Sequence, residues 1–121
     1  MYRKIIIAGA INAFIAVALG AFAAHGLKQR LGDYELGIWQ TAVDYQMTHA
    51  LGLILMGLLA NSLNINLNKP SVIMLAGIVL FSGSLYVLSL SGVKALGMVT
   101  PFGGVCFLVA WAWLAISVYK N

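Results

Sequence analysis

The chain has 121 residues, of which 62% are hydrophobic and only 8% charged, with a mean hydropathy of +0.96 and a formal net charge of +4. A water-soluble domain carries about 25% charged residues, so this composition excludes a surface that faces water all round. The length suits one compact domain. The seven basic residues fall in the termini and connections, where they anchor membrane edges; without a basic run or recognition motif, they exclude nucleic acid as a partner.

Four apolar stretches, at 5–24, 47–63, 72–90 and 98–119, contain no Lys, Arg, Asp or Glu. A bilayer core about 30 Å thick needs roughly 20 apolar residues of helix, within a range of about 17–25. The expected fold is therefore all-α, an up-down bundle of four transmembrane helices in a single integral membrane domain.

The first stretch follows Arg3 and Lys4, and Ala21-Phe22-Ala23 has the form of a signal-peptidase site. Small residues recur through it, however, at Gly9, Ala13, Ala16, Gly20 and Ala24. At about 100° per residue these five lie within roughly 60° of one another. Such a stripe lets a neighbouring backbone approach closely, as helices do in lipid. A disposable signal has no use for it, so the stretch is expected to remain as the first span. Asn12, near its middle, is expected to make an interhelical hydrogen bond.

The longest connection, 26–46, holds every acidic residue, Asp33, Glu35 and Asp44. It mixes apolar and polar residues and places Trp39 and Tyr45 near its end. Both features predict an amphipathic interfacial helix leading into the second span, with Asp33 capping its start. The connections 64–69 and 91–97 are short, and Pro70 follows the Asn-rich first of them. Small residues recur at heptad spacing in the last two spans, at Gly77, Ser84 and Ser91 and at Gly103, Ala110 and Ser117. These stripes predict close helix packing. Cys106 is the lone cysteine, which excludes an intramolecular disulfide and marks it as a packing residue.

Four spans put both termini on one side. That side carries Arg3, Lys4, Lys69 and Lys120, against Lys28, Arg30 and Lys94 opposite. The basic pair ahead of the first span predicts that both termini are cytoplasmic.

Candidate chemistry gathers at the opposite end. His25 closes the first span, Gln46 and His49 open the second, and Thr100 opens the fourth. An ionisable residue within a span is a functional candidate by default. His49 could tie the bundle together as a neutral imidazole, or titrate with His25 in a proton- or solute-linked role. Two histidines without a third His or a Cys at the same depth do not make a zinc site, and no cofactor is expected. The hydroxyls of Ser82 and Ser84 are expected to bond back to their own helix. Thr100 reads as a helix cap with Pro101 at the first helical position. No nucleotide loop, nucleophile–base pair or paired carboxylates are visible, so an enzyme is not expected.

Four segments sharpen the reading: Gly20-Ala21-Phe22-Ala23-Ala24-His25-Gly26-Leu27, Tyr45-Gln46-Met47-Thr48-His49-Ala50-Leu51, Leu80-Phe81-Ser82-Gly83-Ser84-Leu85-Tyr86 and Thr100-Pro101-Phe102-Gly103-Gly104. In that order they resemble the YgdD-like family of small bacterial inner-membrane proteins, across nearly the whole chain. The resemblance implies four spans, a location in the bacterial plasma membrane and a retained first span; it supplies no activity. Asp44 and Lys94 fall outside those motifs. The expected role is that of an integral plasma-membrane protein without a defined biochemical activity, structural or accessory, with membrane lipids and further copies of itself as its partners. The alternative is a small oligomeric transporter or channel-like protein using the His-containing end. Small multidrug exporters depend on an acidic residue in the first span; here no span has one, and Asn12 cannot exchange a proton.

Overall fold

The computed structural model describes residues 2–121. It is 88% helical, and among the described residues four helices are long and apolar enough to span a membrane. They are α1 (Tyr2–Leu27), α2 (Asp33–Ser62), α3 (Asn68–Ser91) and α4 (Thr100–Lys120), the last preceded by a 3-10 turn at Lys94–Met98. Two of them tighten or loosen locally: α1 ends in a π-helical turn at Ala23–Leu27, and α3 contains another at Val79–Gly83. The first falls inside a segment that carries the resemblance, and the second overlaps another at 80–83.

Side-chain contacts fix an antiparallel register between α1 and α2. Trp39 Nε1 donates to the Leu19 carbonyl, and Gln46 Nε2 donates to Asn12 Oδ1. The chain moves seven residues forward on one helix and seven back on the other. The small-residue stripe makes this contact. A Cβ at Gly9 would lie 2.7 Å from the Ala50 carbonyl oxygen, and Ala16 is fully buried. The π turn then rotates the face, so Ala23 and Leu27 are buried while Ala24 is exposed.

On its other side α2 packs against α3, and α4 closes on both. A Cβ at Gly77 would lie 2.6 Å from Phe107, and one at Gly103 would collide with the Phe81 backbone nitrogen. Ser84 and Ala110 are buried as the heptad stripes predict, whereas Ser91, near the end of the bundle, is exposed. The core lies chiefly between α2, α3 and α4, filled by Leu53, Met56, Met74, Ile78 and Phe107, with Ile5 of α1 closing one side. A second cluster, of Ala23, Leu27, Trp39 and Val43, ties α1 to α2.

The connection between the first two spans takes a different form from the one expected. Residues 33–46 do not make a separate surface helix; they are the first half of the continuous α2. Leu36, Trp39, Ala42, Val43, Gln46 and His49 continue one spacing of three and four, and from Trp39 onward they are buried. Burial against α1 carries the helix back to Asp33. Asp33 is itself the first helical residue, the cap position is Gly32, and no side chain caps the end.

Candidate functional site

The structure does not assemble His25, Gln46, His49 and Thr100 into one site. The α1–α2 register sets His49 level with Gly9, sixteen residues from His25, which is more than about 20 Å along the axis at 1.5 Å per residue. His25 is exposed within the π turn. The expectation of a shared end assumed that α2 begins its span near residue 47. Because α2 starts at Asp33, His49 sits past its middle instead.

What the structure brings together is a hydrogen-bonded chain across three helices. Tyr86 on α3 donates from its hydroxyl to Gln46 Oε1, at 2.7 Å. The Gln46 amide donates onward to Asn12 Oδ1 at 3.1 Å, and Asn12 Nδ2 donates to the Ala8 carbonyl at 2.8 Å. Both amides are thereby oriented, with one donor and one acceptor used in sequence. Gln46 is 5% exposed, so an unmade bond there would leave a polar group in an apolar interior. The Trp39 ring meets Tyr86 edge-on, with centroids 4.7 Å apart, and holds the phenol beneath the amide. One turn along α3, Ser82 donates to the Ala42 carbonyl of α2 at 2.8 Å, bonding across the interface where a bond to its own helix was expected.

Gln46 and Asn12 stand near the midpoints of their helices. The sequence pointed to Asn12 and to Gln46 separately, but not to their contact, nor to Tyr86. The signal was present in the spacing of Leu36, Trp39 and Val43, which places Gln46 on the buried stripe and not at a membrane edge.

His49 belongs to a different group. Its ring lies flat on Phe107, with centroids 3.5 Å apart and planes 9° from parallel. Tyr45, Phe81 and Trp111 pack around the pair. Nδ1 lies 2.8 Å from the Tyr45 carbonyl oxygen of the same helix, which makes it the donating nitrogen and leaves Nε2 as an acceptor. In place of a bond tying the bundle together, the ring bonds to the backbone of its own helix, because i and i+4 are neighbours on a helix face.

Thr100 is the first residue of α4 and not its cap, and Pro101 is the second. The hydroxyls of Thr100 and Ser84 are 2.6 Å apart. Each hydroxyl also reaches a carbonyl of its own segment, Ser84 that of Phe81 at 2.9 Å, as expected, and Thr100 that of Leu96 at 3.5 Å, so either can be the donor in the bond between them. This bond pins the start of α4 to α3. Asp44 lies on the outward face of α2, bonded to Gln40 at 2.8 Å. The register puts it level with Phe14, midway along the apolar run of α1. Gln40, Thr41, Asp44 and Thr48 thus form an exposed polar stripe on an otherwise apolar bundle.

Residues 19–104, a stretch that contains Gln46, Tyr86 and both π turns, match the model of a protein family described as "Protein of unknown function (DUF423)". The chain belongs to the DUF423 family. It is 49% identical over 118 residues to a UPF0382 membrane protein of Staphylococcus epidermidis, covering 98% of this chain and 97% of that one. It is 48% identical over 120 residues to the UPF0382 membrane protein YwdK of Bacillus subtilis, covering 98% of each chain. A UPF0382 membrane protein of Staphylococcus aureus is 46% identical over 118 residues, again with 98% and 97% covered. No solved structure matches the chain. The four spanning helices and the names of these relatives together make this DUF423 protein an integral membrane protein whose biochemical role is not defined.

Proposed function

We propose that the chain is a structural or accessory component of the bacterial plasma membrane, with both termini cytoplasmic, and that it is not an enzyme. The observation that carries this reading is the use made of its buried polar side chains. Asn12, Gln46 and Tyr86 bond to one another, Ser82 bonds to Ala42, and Ser84 bonds to Thr100. Among the described residues no buried side-chain nitrogen or oxygen is left without a partner. Interhelical polar bonds of this kind fasten helices in lipid, where hydrophobic association between them is weak. The four motifs also favour the YgdD-like relationship, and with it the inner membrane.

Self-association belongs to the same proposal. The outward stripe of Gln40, Thr41, Asp44 and Thr48 lies at the level of lipid-facing residues of α1. An ionisable group there favours a polar neighbour over hydrocarbon, and a second copy supplies one.

Reconstitution into vesicles loaded with a pH-sensitive dye tests the reading. Under an imposed pH gradient, proton leak should match that of protein-free vesicles. Protein-dependent flux that is lost in His49→Leu would replace this reading with the small-transporter alternative.

A further inference from the structure

The end of the bundle that carries the termini has a feature the polar network does not explain. Between α1 and α3 lies a cavity of about 270 Å³, walled by Ala8 of α1, Leu53 of α2, and Val72 and Leu75 of α3. Lys4 and Asn68 stand at its terminal end. It exists because α1 and α3 are each drawn onto α2 and not onto one another. Gly9 seats α1 against Ala50 and Ile54, and Gly52 of α2 seats Met74. The gap left between them has an almost wholly apolar wall and runs about 10 Å along the bundle, from Asn68 to Leu75 at 1.5 Å per residue.

A second cavity, of about 320 Å³, lies on the next face of α3, against Trp113 of α4; it shares Asn68 and Val72 with the first and adds Lys69. Lys4 and Lys69 are both exposed. The three acidic side chains of the sequence, Asp33, Glu35 and Asp44, all lie in the other half of α2. Lys4 therefore stands at the end of the α1–α3 groove and Lys69 at the end of the adjoining cavity, with the shared Asn68 common to both and no acidic side chain lining either. Water fills such a space poorly, because apolar walls offer it no hydrogen bonds.

We propose that the groove binds one acyl chain of an anionic phospholipid, with the lipid phosphate held at Lys4 and Lys69. The tail fills the gap between α1 and α3, and the headgroup meets the two lysines where the helices leave the hydrocarbon. Basic pockets between transmembrane helices recognise anionic headgroups in this way. Lysines extending to the interface are common at helix ends; here Lys4 stands over a groove that continues below it, and Lys69 stands over the cavity that adjoins it through Asn68 and Val72. The site is independent of the Asn12–Gln46–Tyr86 network and of membrane orientation, since it can face either leaflet.

Native mass spectrometry of the full chain, titrated with phosphatidylglycerol or phosphatidylcholine of matched acyl chains, tests the proposal. One phosphatidylglycerol should be retained in preference to phosphatidylcholine, and added inorganic phosphate should not displace it. Each lysine is worth about five-fold in association, so Lys4→Gln with Lys69→Gln should remove most of the preference. Val72→Trp, at a position that is 66% exposed, should block the groove and weaken binding of both lipids without unfolding the protein, as checked by circular dichroism. Lys28→Gln, at the other end, should change nothing. Equal binding of the two lipids, a preference that survives the double substitution, or an equal loss in Lys28→Gln would overturn the site. A wild-type dimer that Val72→Trp converts to monomer would assign the groove to a second copy and also overturn it.

Discussion

Replacing Gln46 with Leu removes the central link of the polar chain while keeping the volume similar. Two bonds disappear, from Tyr86 at 2.7 Å and to Asn12 at 3.1 Å. Hydrogen bonds between membrane helices average about 0.6 kcal/mol and reach about 1.7 kcal/mol, so the pair is worth roughly 1–3 kcal/mol. The Tyr86 hydroxyl and the Asn12 oxygen are also left unpartnered, which adds up to about 1–3 kcal/mol for each group that stays dry. Both are only partly buried, so the lower part of that range applies, and the total is about 2–4 kcal/mol. Tyr86→Phe alone should cost about 1 kcal/mol. In the Gln46→Leu background the same change should be neutral to stabilising, because it removes a hydroxyl that has already lost its partner. A double-mutant cycle by reversible unfolding in mixed detergent–lipid micelles measures this coupling at about 1 kcal/mol. Leu108→Ala, at an exposed position of α4, serves as the control and should stay within about 0.5 kcal/mol of wild type. Strict additivity of Gln46→Leu and Tyr86→Phe, to within about 0.3 kcal/mol, would refute the network.

Gly103→Ala should destabilise by about 1–3 kcal/mol, since its Cβ would meet the Phe81 backbone, whereas Gly83→Ala, with open space around it, should be neutral or stabilising; thermal unfolding in detergent ranks the two. His49→Phe should keep more stability than His49→Gln, by about 0.5–1.5 kcal/mol, because it retains a ring against Phe107; the reverse order in the same assay would give the imidazole a polar role the stacking does not. Reporter fusions active only outside the cytoplasm should be silent after Lys120 and active within 91–97, and the opposite pattern would invert the topology.

The number of helices, their apolar character and their up-down order were legible in the sequence, because a bilayer imposes a length and a composition on each span independently of the others. The small-residue stripe of α1 was legible for a related reason: close approach in lipid needs small side chains at helical spacing, whatever the partner. Asn12 was recognisable as an interhelical donor or acceptor, since a mid-span amide must bond somewhere. Its partner was not, because register is a relation between helices. Only the packing of Trp39 against Leu19 sets Gln46 opposite Asn12, extends α2 back to Asp33, and separates His49 from His25 by most of the bundle. The same packing draws α1 and α3 onto α2 and leaves the groove between them. Hydropathy is a property of one segment at a time, whereas the polar network and the groove depend on which faces of several segments meet.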